Sequence, residues 1–394
     1  MDVSLIHPRD LADGEITAWR DLRAADPRLD SPFLSPDFAR CAGQARSDAR
    51  VLVVRNADGA PQLFLPLQLS RSGLARPLGA PMCDVTGPIA APPSIALLST
   101  ALGRAGLAAY AFAGWPAAPK GKGVKLRHSE GSAVADLSQG FAAYLESRRA
   151  EHPRHFKKMR RLARQGEKDY GAETTTFGPA NAEDLATLIR WKREQYIRTG
   201  RHDVLGPAWT RALLEACAAA HSEDFSGVMA TLRYNGQLVA AEFGLRSGAT
   251  LHGWIAGYDP AFSSCSPGLV LQQRLLERAA AAGVTRAVLG TGESHYKKHY
   301  TSHVELMDDG VVAAAGLAGG ARALAAGLLL AVERGRFGPA SRLAGRTRRR
   351  MDIILAVETR MGDQVRGLAR AIGSDAALNQ TTKAVKAAVR ASAF

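Results

Sequence analysis

The stretch TLHGWIAGYDPAFSSCSPGLVLQQ, residues 250–273, changes its period in the middle, and that change decides the fold. From Thr250 to Tyr258 the pattern suits a strand, with His252, Trp254, Ala256 and Tyr258 on one face. Asp259-Pro260 ends it, and Ser266-Pro267-Gly268 opens a helix predicted to run to Ala282. Proline fits a first helical turn because its missing N–H would have no partner there.

Reading outward, MATLRY and QLVAAEFGLR flank the turn Asn235-Gly236, a hairpin signature spanning Val228 to Arg246. Before it come two segments with apolar residues at helical spacing, Glu183–Arg198 and Pro207–Ala220, and after it a short strand, Thr285–Leu289. The order is helix, helix, three antiparallel strands, helix, strand. Far upstream, VLVVR and QLFLPLQLS flank Asn56-Ala57-Asp58-Gly59. Both hairpins end alike, in Arg71-Ser72-Gly73 and Arg246-Ser247-Gly248. A recurrence at the length of one α/β domain predicts a duplicated unit. The expected division is 1–140, a basic helical connector over 141–180 restarted at Pro153, a second unit over 181–315, and an Arg-rich helical tail over 316–394.

The net charge of +14 is concentrated. Arg148–Lys168 carries +7 and the chain from residue 316 onward +9, while the remainder is nearly neutral. Two such segments on a neutral body predict local anionic partners, such as an anionic membrane surface, rather than specific nucleic-acid binding. The run Val311–Val332 has the length of a membrane span, but Arg322 and its glycines favour a packed or surface helix. The opening MDVSLIHPRDLADGE has no basic and then apolar leader, which predicts a cytoplasmic protein, peripheral at the inner membrane face if the basic segments meet lipid. Cys41, Cys83, Cys217 and Cys265 form no metal spacing and read as free thiols. His295, His299 and His303 recur at spacing four without an acid to complete a ligand set, so no metal is expected.

These motifs carry a resemblance. Tyr258-Asp259-Pro260, Ser266-Pro267-Gly268, and Gly292-Glu293 with Tyr296-Lys297 resemble the GNAT acyltransferases of the CelD-like branch associated with cellulose and exopolysaccharide biosynthesis. That branch is similar to the FemAB peptidyltransferases in having two GNAT-like units. The resemblance implies an α/β (α+β) fold of tandem GNAT-like units, each a mixed, mostly antiparallel sheet flanked by helices. It also implies acetyl-CoA as acyl donor and a sugar or polysaccharide precursor as acceptor. One departure is visible: such proteins often carry an Asp on the strand before Gly292, where Ala287-Val288-Leu289 is apolar here.

For a CoA pyrophosphate the helix start is the natural seat, which nominates Ser266, Pro267, Gly268 and Leu269. Direct attack on a thioester needs a base near the acceptor. Glu293, in a polar loop after a buried strand, and Glu242, an acid on an otherwise apolar strand face, are the two candidates. Tyr258 could protonate the thiolate, and Tyr296, Lys297 and Trp254 are the acceptor contacts. In the tail, Arg346, Arg349, Arg350 and Asp352 resemble an RxxD-type cyclic di-GMP contact, competing with lipid headgroups for the same charge. Two other readings stay open: an inert double-GNAT scaffold or nucleotide-binding regulator in a polysaccharide machinery, and a FemAB-like aminoacyl transferase.

Overall fold

Both hairpins form where the alternation places them. In a computed structural model the described residues are 1–70, 73–90, 94–121, 123–292, 296–317, 319–321, 348, 350–359 and 362–368. The first part comprises β1 (Asp2–Ile6), α1 (Asp13–Ala24), α2 (Pro36–Ala45), β2 (Ala49–Arg55), β3 (Pro61–Leu69), β4 (Leu74–Pro77), α3 (Ile95–Arg104), β5 (Ala109–Pro116) and β6 (Val124–Asp136). Helices α4 (Gly140–Glu151) and α5 (Pro153–Tyr170) come next, broken where the ring of Pro153 forces a restart. Then come β7 (Glu173–Pro179), α6 (Ala182–Arg198), α7 (Ala208–Ala219), the two-residue β8 (His221–Ser222), β9 (Phe225–Tyr234), β10 (Gln237–Ser247), β11 (Thr250–Tyr258), α8 (Pro267–Ala281), β12 (Arg286–Gly290) and β13 (His303–Ala313).

The two expected sheets are one. All the strands join an open mixed sheet in the order β1-β2-β3-β4-β5-β13-β6-β12-β11-β10-β9-β7, with β8 paired to β9 alone. The order is a palindrome in structure: the parallel pair β4/β5 at one side answers the parallel pair β11/β12 at the other, and every other neighbour on the path is antiparallel. At the centre the last strand of each half crosses over, so that β13 pairs with β5 and β6, and β6 pairs with β12. Sequence periodicity assigns Val311 and the residues after it to a helix. Val311–Ala313 instead end β13, where backbone groups from both neighbours satisfy the strand. The rest of that run from 322 lies outside the described residues, and no helix among those described is long and apolar enough to cross a membrane.

Alternation sends neighbouring residues to opposite layers. Val51 and Val53 enter a core shared by α1, α2, α6 and α7, whereas Leu52 and Val54 pack with Leu98 and Leu102 of α3. The shared core joins Trp19 and Phe33 from the first half to Leu213, Phe243 and Ile255 from the second. Each such side chain, fully buried, contributes about 1.5–3 kcal/mol. Below the second half, α4, α5 and α8 pack through Tyr144, Phe156, Met159, Leu162, Leu271 and Leu275. The same α5 exposes Arg154, Lys157, Lys158, Arg160, Arg161 and Arg164. The amphipathic tail helix expected over Ile353–Ile372 is helical at 350–357 and 362–368, and residues 369–394 lie outside the described residues.

Candidate active site

Strands β11 and β12 are hydrogen-bonded over only three pairs, Thr250↔Arg286 to His252↔Val288, and then diverge. The wedge that opens is bounded by Gly253–Tyr258 on one side and Leu289–Gly292 on the other, with the start of α8 at its mouth. Sheet positions beyond a parting like this have backbone groups free to meet a ligand.

The mouth is built unusually. Ser266 takes a left-handed conformation (φ 50°, ψ 58°), a strained state for a residue with a side chain, and its hydroxyl makes no cap. The Ser266 carbonyl accepts from Leu269 and Val270, Pro267 has no N–H, and the Gly268 N–H has no partner among the described residues. A Cβ on Gly268 would lie 3.5 Å from the Tyr258 ring, an ordinary contact, so glycine is not required there for packing. Tyr258, at the frayed end of β11, therefore stands over an open helix N-terminus. Cys265 beside it is buried with its Sγ donating to the Phe262 carbonyl at 3.2 Å, a structural role.

Inside the wedge, Ala241 and Phe243 of β10 enter the shared core, which sends Glu242 to the other face of its strand. Gly253 makes room for it: a Cβ there would fall 2.3 Å from Glu242 Oε1. Burial pushes the Glu242 carboxyl up to about 7, against the opposing pull of Lys297 and Lys192. Both lysines are lowered by burial. Lys297 Nζ donates to the carbonyls of Gly290 (3.2 Å) and Thr291 (2.6 Å), and Lys192 Nζ to that of Ala256 at 3.1 Å. Tyr296 joins this group, its hydroxyl raised to about 12 by burial and by Glu242.

His252 is buried with Nε2 3.2 Å from Asp84 Oδ2. Asp84 comes from the first half, and the same oxygen lies 3.8 Å from where a Gly290 Cβ would stand. An acid from one half thus reaches the strand of the other whose residues Ala287-Val288-Leu289 are apolar. Trp254 turns away from the wedge, stacking edge-on against Phe33 at 5.2 Å and donating to the Met82 carbonyl at 2.6 Å. His299 stacks on His155 at 4.0 Å, and no group of His, Cys, Asp or Glu among the described residues is arranged to hold a metal.

Of the sequence candidates, then, Glu242, Tyr296 and Lys297 come together, and Tyr258 sits with Ser266–Leu269 at the mouth. Glu293, Arg346 and Arg349 lie outside the described residues. Arg350 and Asp352 line a separate cleft of about 1030 Å3, which runs from Arg76 of β4 to Asp84 and Thr291. Sequence reasoning missed Asp84 and Lys192. Nothing local marks Asp84, but Lys192 stands seven residues after Leu185 on the apolar stripe of α6, where a cation is out of pattern.

Against this geometry the comparisons are specific in one region. Residues 153–298, from α5 to just past β12, match the model of the acetyltransferase (GNAT) domain. No curated protein matches the chain. Among solved structures, FemX superposes with a TM-score of 0.52 at 12% identity, covering 82% of this chain and 99% of that one. Looser likenesses are L-PGS from Bacillus licheniformis (TM-score 0.44, 14% identity, 78% and 91% covered) and a tandem GNAT protein from the clavulanic acid biosynthesis pathway (0.44, 12%, 80% and 99%). The chain therefore carries a segment matching a GNAT acetyltransferase domain, with the general acyl-CoA-dependent acyl transfer that domain implies, inside a whole-chain fold similar to that of FemX.

Proposed function

We propose that the chain is an N- or O-acyltransferase made of two copies of one GNAT-like unit that have exchanged their last strands. In this reading the second copy does the chemistry, and a sugar or exopolysaccharide precursor is the acceptor. The duplication is supported by the palindromic strand order and by the repeated succession of strand, two helices, three strands, helix, two strands. The sugar acceptor is supported by the resemblance of the Tyr-Asp-Pro, Ser-Pro-Gly and Tyr296-Lys297 motifs to those of the CelD-like branch.

The observation that carries the reading is Glu242, a carboxyl held near 7 at the floor of the wedge. A base with a pKa near the working pH combines a useful deprotonated fraction with real proton affinity. It accepts the proton of the acceptor hydroxyl or amine at its Oε1, the atom that Gly253 leaves room for. Lys297, anchored on two carbonyls, keeps positive charge beside the Glu242 carboxylate until it takes that proton and becomes the neutral acid. The unpaired Gly268 N–H and the positive end of α8 fit the pyrophosphate of acetyl-CoA, and acetyl-CoA when bound would supply the activated thioester.

Thermal unfolding with and without acetyl-CoA tests the donor site. Acetyl-CoA should raise the melting temperature of the unaltered protein and fail to raise that of Gly268→Ala, whose fold the spacing at Tyr258 leaves intact. If neither protein responds, the chain is an inert scaffold.

A further inference from the structure

The cleft that holds Arg350 and Asp352 lies mostly against the first half of the sheet. Strands β4 and β5 pair over Leu74↔Ala109 and Ala75↔Tyr110 only, so Arg76 stands just past their parting, as the wedge residues of β11 do in the second half. The cleft is walled by β5, β6 and β13, by the end of α6, and by Arg348, Arg350, Asp352, Ile353 and Ala356. Its volume, about 1030 Å3, is that of a site for a substantial small molecule.

Its wall carries both arginines and acids. Burial lowers the Arg76 pKa, and its guanidinium has no hydrogen bond among the described residues; the opposing charge it feels is Asp352. The same Asp352 carboxylate lies 4.0 Å from Arg127 Nη1 and 2.7 Å from Arg348 Nη1. Other acids on the wall are engaged elsewhere. Asp84 meets His252, and Asp309 accepts from the Gly114 N–H at 3.0 Å. Glu130 remains as a further carboxylate facing the cleft. A half-buried guanidinium on a cleft wall with no hydrogen bond of its own among the described residues has its donors available to an anion.

Asp352 is held in place by its neighbours. Val357 and Ile354 are buried, the Trp209 indole N–H donates to the Val357 carbonyl at 2.8 Å, and His202 Nε2 is 3.1 Å from Glu358 Oε1. One turn of helix thus lays a carboxylate over the arginines.

We propose that Arg76 and Arg127 form a subsite for a phosphate or pyrophosphate group on the acceptor, and that Asp352 occupies this subsite as an internal counter-ion that the acceptor displaces. The word acceptor rests on the acyltransfer reading above; the anion subsite does not. Because the cleft reaches Asp84 and Thr291, a molecule anchored at Arg76 extends toward the lysine and carboxylate of the wedge. Arginine forks suit this role, since they match phosphate oxygens two at a time.

The test uses the full-length chain with inorganic pyrophosphate as probe, calorimetry for affinity, and hydrogen exchange over 350–358 for the tail. Pyrophosphate should bind and speed exchange in that segment. Asp352→Asn should tighten binding about fivefold or more by removing the competitor. Arg76→Met, which keeps volume and discards a buried charge, should weaken it at least about tenfold without lowering the melting temperature. Pyrophosphate could also enter at α8, so Gly268→Ala is the control. Binding that depends on Gly268 and not on Arg76 overturns the proposal, as does equal binding of sulfate, or an Asp352→Asn variant with unchanged affinity. A soluble nucleoside diphosphate and vesicles of phosphatidylglycerol with phosphatidylcholine then distinguish a nucleotide-borne from a lipid-borne phosphate. Acetyl-CoA protection is read on the same protein. Its absence beside an Arg76-dependent response ends the acyltransfer reading and leaves the subsite standing.

Discussion

Helices α3 and α8 occupy the same place in the two halves, each linking a pair of parallel strands, and they begin in opposite ways. At α3, Ser94 is extended (φ −98°, ψ 119°) and its hydroxyl accepts from the Leu97 N–H at 3.3 Å. At α8, Ser266 is left-handed and its hydroxyl makes no cap. One helix spends its exposed donors on its own side chain, and the other leaves a donor facing the wedge. The interiors differ likewise. Past the parting of β4 and β5 stands Arg76, a cation, whereas the wedge at β11 and β12 encloses Glu242 between two lysines. On the reading proposed above, one half of the scaffold offers a cleft for an anion and the other a wedge that accepts a proton.

The comparison breaks most decisively at Glu242. Replacing it with Gln should lower kcat about 10²–10³-fold. In the unaltered enzyme, activity should rise with pH through about 7 as the carboxyl loses its proton, and this limb should vanish in the variant. Stability carries the opposite sign. A carboxyl raised from about 4.5 holds its proton more tightly in the folded chain, so raising pH from about 4.5 to 7 destabilises the fold through this group. Glu242→Gln should therefore be more stable than the unaltered protein at pH 8, by about 1–3 kcal/mol, and no more stable near pH 4. Denaturant titrations at the two pH values check this.

A smaller change moves the carboxylate without removing it. Gly253→Ala puts a methyl group where Glu242 Oε1 now lies, and that oxygen is the far end of a side chain that can turn aside. Activity should fall about tenfold to a hundredfold, while stability changes by less than about 1 kcal/mol. If instead stability collapses and the residual activity per folded molecule is normal, Glu242 is a packing residue and the wedge loses its base.

How much of this was legible depends on which forces act locally. The hairpins at Asn56–Gly59 and Asn235-Gly236, the break at Pro153 and the helix starting at Pro267 depend on turn chemistry and periodicity within a few residues, and the boundaries agree closely. The exchange of β6 and β13 was not legible, because their pairing joins two strands that lie far apart in sequence and carry polar residues at their centres, Arg127–Glu130 and Asp308–Asp309, where alternation gives no signal. The same holds for the site. Glu242 stood out as an acid on an apolar strand, but its setting beside Gly253 and two lysines needed the fold, and Glu293 lies outside the described residues. Asp84 reaches His252 across 168 residues, so no local pattern could have shown the contact.

The finest test compares the two serines directly. Ser94→Ala removes a hydrogen bond that satisfies a helix donor, so it should cost about 1 kcal/mol of stability and leave acetyl-CoA binding alone. Ser266→Ala removes no cap, and the backbone strain at φ 50° persists whichever of the two residues is there, so stability should be unchanged within about 0.5 kcal/mol. Ser266→Gly relieves that strain and should stabilise the protein by up to about 1 kcal/mol. If the strained turn exists to aim the Gly268 N–H, the gain in stability should come with weaker acetyl-CoA protection, because a relaxed glycine no longer holds the donor in place. A Ser266→Gly protein that is both more stable and fully responsive would show that the left-handed turn is an accident of the loop. The asymmetry between α3 and α8 would then rest on the missing cap alone.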